Sequence, residues 1–215
     1  YLYVIYKEYK EDRQMTEKIT LNERQQSIDK CLKACVNLYG YVTPRQFLKV
    51  YNRYNTPKLL KKELLEHADA LEAVSGKYYA VYENAIINTR VSKAVIDETI
   101  RQQAEKTYYT PTEAEVETYS RASGYTRTAQ TENLTQFLVK KMRMNVFTAQ
   151  GFVSKLVWLT ATGEPMQKCM TMLYEFNLPV KTQAQLKEIF NLMQAVNASS
   201  RKWAECGYVS AQERE

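Results

Sequence analysis

QSIDKCLKACVNLYGYVTPRQFLKVYNRYNTPKLLKKELLEHADALEAVSGKYYAVYENAIIN, residues 26–88, reads as three short helices followed by a two-stranded ribbon. Ile28, Leu32, Cys35, Val36 and Tyr39 recur at helical spacing and predict a first helix over 26–39. Gly40 supplies the left-handed residue that often closes a helix. In Thr43-Pro44-Arg45-Gln46, Thr43 caps, Pro44 takes the first helical position and Gln46 completes a capping box. The second helix carries Phe47, Leu48, Tyr51 and Tyr54 on one side and Arg45, Lys49 and Arg53 on the other, and Asn55 ends it. Thr56-Pro57 repeats the start signal for a third helix, with Leu60, Leu64, Ala68 and Leu71 inside and Lys58 and Lys62 outside. Glu72–Val74 and Lys77–Tyr82 then read as strands joined by the two-residue connection Ser75-Gly76.

Three helices and a hairpin in this order are the pattern of a winged helix-turn-helix. The predicted fold is therefore mainly α: a winged-helix-like domain over 23–90, preceded by a strand and connector over 1–22 and followed by an all-α helical bundle over 91–215. Between Tyr41 and Lys62 lie six basic residues and no acidic one. A helix start beside such a cluster suits phosphate, because the free N–H groups and the cations both favour an anion. In a helix-turn-helix the recognition helix enters the major groove with its N-terminal end leading. The expected nucleic-acid-binding residues are Arg45, Lys49, Asn55, Thr56, Lys58, Lys61, Lys62 and Lys77, with Asn55 and Thr56 nearest the bases and Lys77 and Tyr78 near the wing tip. Against this stands the solvated-helix reading, and Glu66, Asp69 and Glu72 put negative charge on the later part of the unit.

Composition sets the outer bounds. A chain of 215 residues with 45% hydrophobic and 25% charged residues is long enough for one large or two small globular domains. The net charge of +6 permits a polyanion partner without requiring one. No run of 18 apolar residues is present, which argues against a membrane span. Cys31 and Cys35 lie one helical turn apart, but His67 is the only histidine, and no second paired set completes a zinc site. The four cysteines read as reduced thiols in a cytoplasmic protein. No phosphate-cradling glycine loop, Gly-x-Ser-x-Gly or histidine pair is present, so neither an enzyme nor a bound cofactor is expected.

The first nine residues, YLYVIYKEY, read as a strand or the end of an element, and Asn22 with Gln25 offers a capping pair for the first helix. Beyond the wing the pattern is helical throughout. Val91, Val95, Ile96, Thr99 and Ile100 form one face, and Thr110-Pro111 with Glu113 starts the next helix. Leu134, Phe137, Leu138 and Met142 form a further face, as do Phe152, Val153, Leu156 and Val157. Met166, Cys169, Met170, Leu173 and Phe176 continue the series, and Leu186, Ile189, Phe190, Met193 and Val196 close it. Short amphipathic helices with brief connections make a bundle. Lys140, Lys141, Arg143 and Lys155, with no acid between 133 and 163, are either a basic ridge or a solvated face. The methionines of this half read as filling the bundle interior rather than lining a partner groove.

Residues 192–213, with Asn197, Arg201, Trp203, Gly207 and Glu213, resemble a segment of uncharacterised bacterial, mainly Firmicute, proteins that often continue into a SEC-C metal-binding tail. Those proteins also carry something like the Leu38-Tyr39-Gly40 to Tyr51-Asn52 segment. The present sequence departs from them in stopping at Glu215 without the Cys/His tail, and the resemblance implies a context and no mechanism. On its own residues, the segment reads as a helix ending near Ala198, a polar turn, and Trp203 anchored on the bundle. Two functions follow: a cytoplasmic DNA-binding regulator acting through its winged helix, or a protein-interaction adaptor whose helical half holds a partner. An enzyme with a dispersed acidic site comes third.

Overall fold

The computed structural model describes residues 21–75, 78–121 and 123–210. The first helix, α1 (Glu23–Tyr39), starts at Asn22, whose side chain accepts the Gln25 N–H at 2.9 Å while Gln25 accepts the Asn22 N–H at 3.0 Å. It ends at Gly40, where φ is +74° and the N–H reaches the Val36 carbonyl at 2.9 Å. A two-residue strand, β1 (Tyr41–Val42), leads into α2 (Pro44–Tyr54), which has the predicted Thr43/Gln46 capping box and Pro44 at its start.

The next two elements differ from the sequence expectation. Thr56-Pro57 does not start a helix; α3 runs over Lys61–Ser75. The cause lies in Asn52, whose amide accepts the Leu59 N–H at 2.7 Å and donates to the Leu59 carbonyl at 3.0 Å. That clamp seats Leu59 in the core and keeps the connection non-helical as far as Leu60, whose N–H is accepted by Glu63 at 2.9 Å. Likewise, Glu72–Val74 continue α3 and are not a strand. The hairpin is β2 (Tyr79–Tyr82) and β3 (Ala85–Asn88), turning at Glu83 and Asn84, both left-handed with φ of +48° and +63°. A tight two-residue turn needs such a pair, and Asn tolerates it better than most residues. Val81 pairs with Ile86, and β3 also pairs with β1 through Tyr41 and Ile87, giving an antiparallel sheet in the order β1-β3-β2.

The remainder is helical: α4 (Lys93–Gln103), α5 (Glu113–Tyr119), α6 (Ala129–Lys140), α7 (Val146–Ala161), α8 (Met166–Met170), α9 (Met172–Glu175) and α10 (Gln183–Ser199). The cap of α5 is Thr112 with Glu115, two residues after the predicted Thr110/Glu113 pair. Among the described residues, buried side chains form two clusters. One joins α1, α2, α3 and the sheet, and takes in Val116 and Tyr119 of α5. The other is built from α6 to α10, with Phe152, Leu156, Met172 and Met193 at its centre. The chain is thus mainly helical with one small antiparallel sheet, and no described helix is long and apolar enough to cross a membrane.

A hook over residues 200–208 ties the two clusters together. Trp203 is 1% exposed; its indole N–H donates to the Asn37 carbonyl at 2.9 Å, and its backbone N–H to Ala161 at 2.9 Å. Its ring meets Trp158 of α7 edge to face, with centroids 5.3 Å apart. Gln103 donates to both the Tyr39 and Trp203 carbonyls at 2.7 Å. Gly40 makes this seat, since a Cβ there would lie 2.3 Å from the Trp203 ring. Gly40→Ala combines that overlap with a left-handed backbone and should cost about 2–5 kcal/mol in urea unfolding. Gly163 has φ of +80° but open space around its missing Cβ, so Gly163→Ala should cost only about 1–2 kcal/mol. Equal losses at the two glycines would refute the Trp203 explanation.

Candidate nucleic-acid interface

Helix α2 buries Phe47, Val50 and Tyr51, which leaves Arg45, Lys49 and Arg53 on its exposed side, four residues apart. The stripe is about 12 Å long at 1.5 Å per residue. None of the three makes an ion pair with a described residue, and the guanidinium of Arg53 lies 5.8 Å from the Tyr54 ring centre. Phosphate is the ligand that suits such a row, because each neutralised charge releases condensed counterions.

The leading end of α3 is organised differently. Lys61 is exposed and, among the described residues, has no ion-pair partner, but Lys62 faces Glu66 at 3.9 Å and Lys58 donates to the Asn52 carbonyl. Glu63 occupies the helix start and also sits 3.5 Å from Arg24. Its own carboxylate therefore stands where an anion would bind. Thr56 is exposed. Asn55 is not available to read a base in this conformation: it accepts the Ser27 hydroxyl at 2.8 Å and donates to Tyr51 at 2.8 Å. Lys77 lies outside the described residues. The hairpin tip is Glu83–Asn84, so Tyr78 sits at the base of β2 under Lys33 rather than at the tip.

Sequence reasoning missed a second surface. A cleft of about 800 Å³ lies between the α5–α6 connection and α7, lined by Arg121, Tyr125 and Arg127 on one side and by Phe147, Gly151 and Ser154 on the other. Phe147 is 78% exposed, and it stood outside the apolar face predicted for α7. A cavity of about 440 Å³ adjoins the cleft, shares Gly124, Gly151 and Ser154 with it, and reaches Arg90 and Trp158. Arg90 lies 4.0 Å over the Trp158 ring. The basic residues singled out in this half are dispersed: Lys155 pairs with Glu175, while Lys140 ends α6 and Lys141 and Arg143 lie between α6 and α7. Met172 and Met193 fill the second core.

At the inner wall of the cleft, Glu115 is paired with Arg201 at 2.9 Å, and Arg201 lies 3.6 Å over Tyr109. Burial alone would raise the Glu115 carboxyl, but the Thr112 N–H, the Tyr109 hydroxyl and Arg201 outweigh it and hold it below its ordinary value. All four cysteines are free and buried. The Cys35 thiol is pushed well up by its hydrogen bond with Cys31 and by burial, so it is protonated at neutral pH. No group of three or more His, Cys, Asp or Glu side chains gathers among the described residues to hold a metal. Comparison with protein-family models, curated proteins and solved structures gave no match to the chain.

The depressed Glu115 carboxyl has a signed consequence. Its contribution to stability is present above the unfolded carboxylate value of about 4.3 and is lost as pH falls through the lower folded value. Glu115→Gln should therefore be less stable than wild type at pH 7, with the gap closing below about pH 4. A pH series of urea midpoints checks this, and a gap independent of pH would contradict it.

Proposed function

We propose that residues 23–90 form a winged helix and that the protein is a cytoplasmic, non-enzymatic, DNA-binding regulator. The observation that carries the reading is the exposed Arg45–Lys49–Arg53 face of α2, in a segment from 41 to 62 without an acidic residue. Supporting it, the order α1-β1-α2-α3-β2-β3 with sheet order β1-β3-β2 matches a helix-turn-helix followed by a hairpin wing. In such a unit the first helix of the turn crosses the phosphate backbone and the second enters the major groove. That assigns Arg45, Lys49 and Arg53 to phosphates and places Thr56, Lys61 and Lys62 toward the groove. Four free buried thiols accord with a reducing compartment. The kinship with Firmicute SEC-C-type proteins belongs to the same proposal. Its two patches meet at one junction, where Trp203 packs on Gly40.

An adaptor role is the second reading, favoured by Glu63 and Glu66 at the start of α3 and Glu83 at the wing tip, where duplex DNA would approach. Fluorescence anisotropy with random duplex DNA separates the two. DNA binding predicts affinity that falls steeply with salt, and a slope about 0.9 shallower for each phosphate contact removed by Arg45→Gln, Lys49→Gln or Arg53→Gln. Absent binding at low salt, or unchanged affinity in all three variants, would leave the adaptor reading.

A further inference from the structure

The cleft beside α7 has the geometry of a strand-binding groove. Phe147, Gly151, Ser154 and Trp158 follow one another along one face of α7, an aromatic ring at each end and small residues between. The two residues are about 16 Å apart along the helix axis, the reach of a few nucleotides in an extended strand. At the centre, where Gly124 and Gly151 line both cavities, the Ser154 hydroxyl donates to the Ser123 carbonyl at 3.2 Å.

Charge on the opposite wall decides between ligands. Arg121 shares the Glu117 carboxylate with Lys30, at 3.4 Å against 2.9 Å, so two cations stand on one anion there. Arg127 is 3.8 Å from Glu132, with side chains 72% and 46% exposed. Exposed pairs of this kind contribute little and exchange readily for a phosphate. Among the described residues lining the outer cleft the only carboxylate is Glu115, already neutralised by Arg201.

We infer that this groove binds single-stranded nucleic acid, with Phe147 stacking on a base and Arg121 and Arg127 holding the neighbouring phosphates. Exposed aromatic rings beside guanidinium groups are the means by which proteins hold unpaired bases without reading their sequence. The assignment rests on residues other than those of the α2 stripe and concerns a different form of nucleic acid.

The test is fluorescence anisotropy of the full chain with a labelled oligothymidylate of about twelve nucleotides, and with a duplex of the same length, at low salt. Phe147→Ala should weaken oligothymidylate binding at least about fivefold, the lower range for losing one stacked base, and leave duplex binding within about twofold. Arg121→Gln with Arg127→Gln should do the same and flatten the salt dependence. Arg45→Gln with Lys49→Gln serves as the opposite control, acting on the duplex. All these side chains are exposed, so urea midpoints should stay at the wild-type value. No oligothymidylate binding by wild type, unchanged binding in the groove variants, or equal losses on both probes would each overturn the assignment. Duplex results alone decide the α2 proposal.

Discussion

The indole of Trp203 hydrogen-bonded to the Asn37 carbonyl, over a glycine that leaves room for its ring, is the contact on which the rest depends. It fixes the end of α1, from which β1 and α2 set out, to the end of α7 through Trp158 and Ala161. Three buried amides extend it. Asn37 donates to the Tyr119 carbonyl at 2.8 Å, Asn88 donates to Asn37 at 3.2 Å, and Gln103 bridges Tyr39 and Trp203. A buried network of this kind is stable when complete and costly when any member is left unpaired. It therefore ties α1 to the end of α7 and joins one core to the other.

Charge is distributed unevenly over α2 and α3. The outer face of α2 carries three cations with no ion pair to a described residue, whereas the start of α3 is occupied by its own carboxylates. Coulombic attraction for a polyanion is thus concentrated on α2. Salt screens such exposed charges over about 8–10 Å, so that attraction falls as ionic strength rises.

What was legible in the sequence followed local chemistry. The caps at Asn22 and Thr43, the stop at Gly40 and the basic face of α2 depend on residues within one turn of each other. The start of α3 was misplaced because Asn52 reaches seven residues ahead to hold Leu59, a contact no capping pattern contains. The hairpin was misplaced by one strand because Ser75-Gly76 is the stronger turn dipeptide, while Glu83-Asn84 is chosen by pairing of β3 with the distant β1, Tyr41 opposite Ile87. Trp203 was recognisable as an anchor, but its seat on α1 depends on a separation of 166 residues. The groove could not be read at all, since Arg121, Arg127 and Phe147 come together only where the α5–α6 connection lies against α7.

The central claim is that Trp203 couples two cores into one cooperative body. The most direct measurement is urea unfolding of Trp203→Ala followed by tryptophan fluorescence and by far-UV circular dichroism. Of the chain's two tryptophans only Trp158, on α7, remains in that variant and reports the second core. Coupling predicts coincident transitions in wild type and separated ones in the variant, with the first core losing about 3–5 kcal/mol. A single coincident transition at the wild-type midpoint would contradict it.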